Sequence, residues 1–426
     1  MFSKIKNFFT QFSPQFWLVI IFEFFERGSY YGMMSILSVY FTDQLFFSKE
    51  SVGVIKSTIQ PLLYILPIVA GAIGDRFGYK KTLIFAFTFL GLGYFLTSQF
   101  TDYVLVFASL IIMGIGAGAF KPMISGTIAR ITNEKNSTLA FGIFYWSINF
   151  GAFLFPLILV PYLKATFGWH SVMIASAVFT AGMILPTIFL YKEPQKPEST
   201  KSLLEVFKGM ILVLKDFRFV SLIVIYSGFW ILYFQMFDSV LWYVNDYVDA
   251  TSLNNAVNTF LGIFGINLNW KFDVEHVTVI NAGTIILLQM IISNIVKNKK
   301  ALPTMITGIS LGTIGMAILA ISADIWVFMA GIIIFSIGEM TAHPKFISYV
   351  GLIAPEDKKA TYLGYAFLYG VLGSLIGGVL GANLYVHFVD NLNDPQTLWI
   401  VFSLIGVATI IGLLLYSKFV VKESKY

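Results

Sequence analysis

Two carboxylates and a guanidinium, Glu23, Glu26 and Arg27, share five consecutive positions of the stretch FEFFERGSYYG, residues 22–32. Around them the chain is almost wholly apolar or aromatic from Phe16 to Tyr40. On a helix, Glu23, Arg27, Tyr30 and Met34 fall on one face, with Glu26 about a quarter-turn aside. A glutamate four residues ahead of an arginine is the favourable orientation for an ion pair. An isolated charge in mid-bilayer costs about 2.5–3.5 kcal/mol or more, so such groups pair and face a polar path. One ion pair would be enough to stitch two helices together. Three charges beside Tyr30 and Tyr31 exceed that need and point to handling of a charged solute or of protons. A buried carboxylate next to a cation suits proton transfer, because burial and the cation pull its proton affinity in opposite directions. Further charges sit in other apolar stretches: Lys121 in GAGAFKP, Glu339 and His343 in GEMTAHP, and Asp238 in FQMFDSVLW. Asp238 reads either as an extra proton site at an outer gate or as a buried cap of a neighbouring helix. A lone histidine such as His343 usually just hydrogen-bonds, although it could titrate.

The elements that must position these residues follow from composition. The 426 residues are 57% hydrophobic and 17% aromatic, and only 12% are charged, about half the charge of a soluble domain. So much apolar surface does not fit one soluble core, and the chain reads as an all-α polytopic membrane protein. Spanning the hydrocarbon takes roughly 20 apolar residues. On that ruler twelve spans are expected, near 16–42, 50–74, 79–99, 103–131, 138–165, 168–191, 219–246, 274–296, 301–322, 324–353, 359–388 and 396–418. Basic residues such as Lys4, Lys6, Lys80, Lys81, Arg130, Lys135, Lys196, Lys201, Lys208, Lys215, Arg218, Lys297, Lys358, Lys422 and Lys425 gather on one side. Lys49, Lys164 and Lys271 lie opposite, among Asp43, Asp102, Asp246, Asp249, Asp273, Asp324 and Asp390. The positive-inside rule then places both termini in the cytoplasm. The N-terminal residues read as a cytoplasmic lead-in and not as a cleaved signal.

A polar connection at residues 192–218 divides the chain into an N-terminal six-helix bundle, 1–191, and a C-terminal one, 219–426. The halves echo each other at an offset of 222 residues, which carries Gly116 to Gly338, Lys121-Pro122 to His343-Pro344, Gly142 to Gly364 and Gly151 to Gly373. That spacing suggests a parallel duplication. Glycine runs such as GSLIGGVLGA lack the strand of a nucleotide fold and read as close helix packing. No cysteine is present, which removes disulfides and thiol catalysis. No metal-ligand cluster, nucleophile elbow or ATPase loop is legible, so neither an enzyme nor a cofactor is expected.

Between the second and third spans, GAIGDRFGYKK fills every fixed position of the pattern Gly-x-x-x-Asp-Arg-x-Gly-x-Lys-Lys. In this the chain resembles the major facilitator superfamily, and the resemblance makes Asp75 and Arg76 gating-loop residues. Within that superfamily it resembles the proton-coupled oligopeptide transporters (POT). The match rests on Glu23, Glu26, Arg27, Tyr30, Tyr31 and Gly32 in the first span and on Phe144, Tyr145, Ile148, Asn149 and Gly151 in the fifth. Lys121-Pro122, Gly338-Glu339, Pro344, Ser348, Tyr64 and Asn281 extend it across both halves. The resemblance implies a proton-coupled symporter that imports di- and tripeptides by alternating access through a central cavity. It implies that Arg27 and Lys121 hold the peptide carboxylate, Glu339 the amino end, and Asn149 and Asn281 the amide backbone. Tyr30, Tyr31 and Tyr64 would line the pocket, and Glu23, Glu26, Asp238 and Glu339 would couple protons.

Departures from the pattern are Gly28 for a phenylalanine, Met34 for a frequent arginine, Met123 for an asparagine, and Ala366 for the tryptophan of the eleventh span. They leave two alternatives open: another small anionic or peptide-like substrate, or a peptide sensor that does not transport. The expected partners are peptide, protons and the lipid bilayer, with no nucleic acid. The expected form is a monomer in a plasma membrane, of the bacterial inner-membrane type.

Overall fold

A computed structural model describes residues 10–133, 136–194, 203–267 and 269–420. Lys4, Lys6, Lys135, Lys196, Lys201, Lys422 and Lys425 lie outside the described residues. Besides the short helices Leu37–Val39, Val160–Phe167 and Ile184–Phe189, the helices include α1 Pro14–Met34, α2 Lys49–Phe77, α3 Tyr79–Gln99, α4 Tyr103–Ile131, α5 Ser137–Leu154, α6 His170–Gly182, α7 Leu203–Leu214 and α8 Phe217–Gln235. They continue with α9 Ser239–Asp246, α10 Thr251–Ile263, α11 His276–Val296, α12 Ala301–Ile318, α13 Ile325–Ile353, α14 Lys359–Tyr365, α15 Leu368–Tyr385 and α16 Pro395–Phe419. Among the described residues the only strand-like feature is one bridge, Asp249 to Asp324.

Among the described residues, eleven helical stretches are long and apolar enough to cross a membrane. The first expected span falls on α1, which has 21 residues but carries Glu23, Glu26 and Arg27. The seventh expected span, 219–246, is made of α8 and α9 with a break at residues 236–238, and the connection after it, 247–273, holds a helix of its own, α10. The second half of the connection expected to be polar, 192–218, is the helix α7 with sequence LLEVFKGMILVL.

The chain divides into two compact units that interleave in sequence. One holds Met1–Met33 and Leu62–Met210, the other Met34–Pro61 and Ile211–Tyr426. The chain crosses three times; the crossing after Met210 lies within α7, and the other two fall where the backbone is locally weak. The helical run of α1 stops at Met34 and turns at residues 35–36. Pro61 lies inside α2, where a proline removes a backbone donor and crowds the preceding turn.

The duplication is visible in packing. In the first unit, a Cβ on Gly116 would stand 2.7 Å from the Ala86 carbonyl oxygen and 2.6 Å from the Leu90 nitrogen. In the second, a Cβ on Gly338 would stand 2.5 Å from both the Gly308 oxygen and the Gly312 nitrogen. Each of these partners is displaced by the same 222 residues. Gly93 against Met113 recurs as Gly315 against Phe335, again at that offset. Even the cap recurs: Asp102 accepts from the Val104 and Leu105 amides, and Asp324 from those of Trp326 and Val327. Such side-chain caps satisfy amide donors that the first helical turn leaves unpaired. The close backbone approaches explain why glycine occupies these positions, since any side chain would force α3 from α4, or α12 from α13.

Candidate functional site

The first unit gathers the charges of α1. Glu23, Glu26 and Arg27 are 1%, 0% and 3% exposed. The Arg27 guanidinium grips Glu26 as a fork, Nη2 donating to Oε1 at 2.6 Å and Nε to Oε2. Glu23 stands farther off, with Oε1 3.8 Å from Nε. The four-residue spacing had favoured Glu23 as the partner. The adjacent residue takes that place because two long side chains about 100° apart on a helix can still meet two-pronged, the stronger arrangement for a guanidinium. The second oxygen of Glu23, Oε2, is buried and has no hydrogen-bond partner among the described residues. Arg27 also lies over the Tyr30 ring, 4.9 Å from its centroid, and Tyr30 meets Tyr31 edge-on at 5.3 Å.

Lys121 enters from α4 one residue before Pro122. Its ammonium is 5.7 Å from the centroid of the Tyr64 ring of α2. It is close enough to interact electrostatically with Arg27, Glu26 and Glu23. The sequence-predicted residues Glu23, Glu26, Arg27, Tyr30, Tyr31, Tyr64 and Lys121 therefore form one neighbourhood. Asn149 is buried on α5, and its side-chain amide donates 2.9 Å to the Tyr145 carbonyl of its own helix. The departure at Gly28 has a steric counterpart. A Cβ there would stand 2.5 Å from the Phe155 ring, so an aromatic side chain from beyond α5 occupies that space. Gly28 and Phe24 of α1 in turn press their backbones against Gly151.

At the basic end of this unit, Asp75 accepts from Arg130 Nη2 at 2.5 Å and from the Tyr79 hydroxyl at 2.9 Å. Arg130 also lies over the Tyr79 ring at 4.3 Å. Gly78, with φ of 103°, makes the turn that only glycine adopts readily. The Glu193 carboxylate then accepts from the Tyr79 and Lys80 amides at 2.5 and 2.9 Å, which places an anion at the positive end of α3. Arg76 is exposed and lies over Phe77.

In the second unit, Asn281 of α11 donates to the Glu339 carboxylate at 3.2 Å and to the Ser336 hydroxyl at 2.9 Å. Asn281, expected to read a substrate, here orients Glu339. His343, one turn along α13, sits 5.5 Å from Trp230 and 5.7 Å from Tyr369, ring to ring. Ala366 is fully buried, while α8 supplies Trp230 to this aromatic group. The sequence reading passed over Trp230. Lys345 reaches the other way: its ammonium donates to the Lys299 and Lys297 carbonyls at 2.7 and 3.3 Å, at the C-terminal end of α11.

Asp238 does not cap α9 with its side chain. It pairs with Lys56 of α2 at 3.0 Å and accepts from the Ser38 hydroxyl at 2.8 Å. Lys56 was missed in the sequence, although a single lysine inside VGVIKSTIQ, on a span, was the available signal. Seven residues earlier on α2, Lys49 pairs with Asp390 at 2.7 Å and approaches Asp246 at 3.6 Å. Met34 packs on Gln60. The described residues hold no group of three or more His, Asp or Glu that could bind a metal ion.

The chain is 26% identical over 460 residues to the dipeptide and tripeptide permease B of Salmonella typhimurium, covering 93% of this chain and 92% of that one. It superposes on the crystal structure of a POT family transporter in complex with 5-aminolevulinic acid with a TM-score of 0.76 and 22% identity, covering 96% of each chain. A nucleoside transporter gives the same TM-score at 15% identity, covering 95% of this chain and 100% of that one, so the shared fold alone does not select a substrate. The sequence model described as Major Facilitator Superfamily matches residues 16–270 and 247–425, which is nearly the whole chain, and this multi-pass membrane protein belongs to that superfamily.

Proposed function

We propose that the chain is a proton-coupled symporter that imports di- and tripeptides by alternating access, works as a monomer in a bacterial inner membrane, and is neither an enzyme nor dependent on a cofactor. The observation that carries this reading is the buried fork of Arg27 on Glu26, with Glu23 and Lys121 in electrostatic range. Pulling Arg27 away while Glu26 stays ionised would strand a buried charge, at a cost of about 3–5 kcal/mol. A proton delivered to the Glu23–Glu26 pair removes that cost and frees the guanidinium. Arg27 with Lys121 then takes the substrate carboxylate, which restores a charge partner. Proton and peptide thus favour each other's binding, and that is the differential affinity a symport cycle needs. Glu339, held by Asn281, takes the substrate ammonium, while Asn149 and Asn281 bond the amide backbone and Tyr30, Tyr31 and Tyr64 line the pocket. Asp238 serves as a second titrating group at the outer gate, and Asp75 and Arg76 as gating-loop residues. The name of the Salmonella relative supports peptide as the substrate.

The test is uptake of labelled dialanine into proteoliposomes with and without an inward proton gradient. Gradient-driven accumulation is expected, with loss in Lys121→Ala and in Glu339→Gln. Binding of dialanine without flux would make the protein a sensor. Accumulation indifferent to the gradient would remove the coupling role of Glu23 and Glu26.

A further inference from the structure

The helix α7, Leu203–Leu214, has three distinct sides around its circumference. Val206, Gly209, Met210 and Val213 form one, with Val213 fully buried. A second quarter of the circumference, on 3.6-residue spacing, carries Leu204, Phe207, Ile211 and Leu214. These four large apolar side chains are 63%, 49%, 53% and 50% exposed. Next to them, Lys208 and Lys215 point outward one above the other, with Leu212, 37% exposed, and Glu205 beyond. A water-exposed helix would not keep four such side chains uncovered, since contiguous apolar patches mark an interaction surface. The order of protein side, apolar side and cationic side is that of a helix lying in the plane of a bilayer surface, its apolar residues among acyl chains and its lysines among headgroups.

Charge selects the lipid. The exposed ionic groups of this stretch are Glu205, Lys208, Lys215 and Arg218, an excess of cations. The span His170–Phe189 precedes α7 in the chain, and the next spanning helix begins at Phe217, shortly after Leu214. We propose that α7 lies on the membrane surface at the basic side of the protein and binds anionic phospholipid through Lys208 and Lys215.

Because the chain has no cysteine, single substitutions can be spin-labelled without background. Labels are placed at Phe207→Cys and Ile211→Cys on the apolar side and at Glu205→Cys on the polar side. The full-length protein is then reconstituted in phosphatidylcholine vesicles, with or without phosphatidylglycerol. Labels at 207 and 211 are expected to collide several-fold more often with oxygen than with a water-soluble nickel chelate, and the label at 205 the reverse. Phosphatidylglycerol is expected to slow the motion of the labels at 207 and 211, and Lys208→Gln with Lys215→Gln to abolish that response. Preference for the nickel chelate at 207 and 211 overturns the proposal. So does shielding from both reagents, which would mean a protein partner or a second copy, and so does an equal response in the two lipid mixtures.

Discussion

Removing one member of the Lys56–Asp238 pair should cost far more than removing both. The two side chains are 3% and 5% exposed and 3.0 Å apart. At an effective dielectric of about 20 their attraction is roughly 5 kcal/mol, and desolvating two ions consumes a comparable amount. The pair is thus close to neutral as a whole, while an orphaned partner loses about 3–5 kcal/mol. Lys56→Met leaves the Asp238 carboxylate with only the Ser38 hydroxyl, and Asp238→Leu leaves the Lys56 ammonium with only the Phe237 carbonyl at 3.1 Å. The double variant leaves no stranded charge, because Ser38 keeps the Phe237 carbonyl at 2.7 Å. The assay is thermal unfolding of the purified protein in detergent at one fixed scan rate, which matters because such unfolding is irreversible. With about 2–4 °C per kcal/mol for a unit of this size, each single variant should melt roughly 6–20 °C lower. The double variant should recover most of that loss. Singles that shift by less than about 2 °C, or a double that shows the sum of both losses, would refute the reasoning that the pair is desolvated and mutually dependent.

Three further outcomes are expected. Glu26→Gln should retain dipeptide counterflow but lose accumulation driven by a proton gradient, since the amide cannot carry the proton; normal accumulation in that variant removes Glu26 from coupling. Gly28→Phe should destabilise by about 1–3 kcal/mol through overpacking against the Phe155 ring. Phe155→Ala in the same chain should relieve it, as read by melting temperature; a stable Gly28→Phe with Phe155 intact contradicts the contact. Gly116→Ala and Gly338→Ala should each cost about 1–3 kcal/mol, and to a similar extent, because each Cβ meets backbone on the neighbouring helix. Unequal losses would show that the duplicated packing is not equivalent in the two units.

How much was legible in advance differs between residues. The spans, and the sides assigned to the charges around them, follow from one-dimensional facts: an apolar run of spanning length has to be helical in lipid, and a charge has to leave it or find a partner. Asp43, Lys49, Asp246 and Asp390, placed on one side by the chain alone, do meet in a single network through Asn245 and Tyr385. The cluster on α1 was legible because its members are neighbours in sequence, and the offset of 222 residues because a repeat is a property of the string itself.

Partner identity was not legible. That Arg27 forks onto Glu26 and not Glu23, that Lys56 meets Asp238, and that Asn281 steadies Glu339 depend on side-chain reach and on which helices become neighbours. Nor did the sequence reveal that residues 34–61 pack with the second unit. A turn after Met34 and a proline inside α2 mark weak points, but long-range packing decides whether the chain changes company there. The sequence by itself determined which segments enter the membrane and which charges had to be accommodated, because burying a polar group in lipid carries the same penalty wherever it occurs. Only the tertiary structure decided how each charge was satisfied, because a pairing energy depends on distances of a few ångströms between residues up to 341 positions apart.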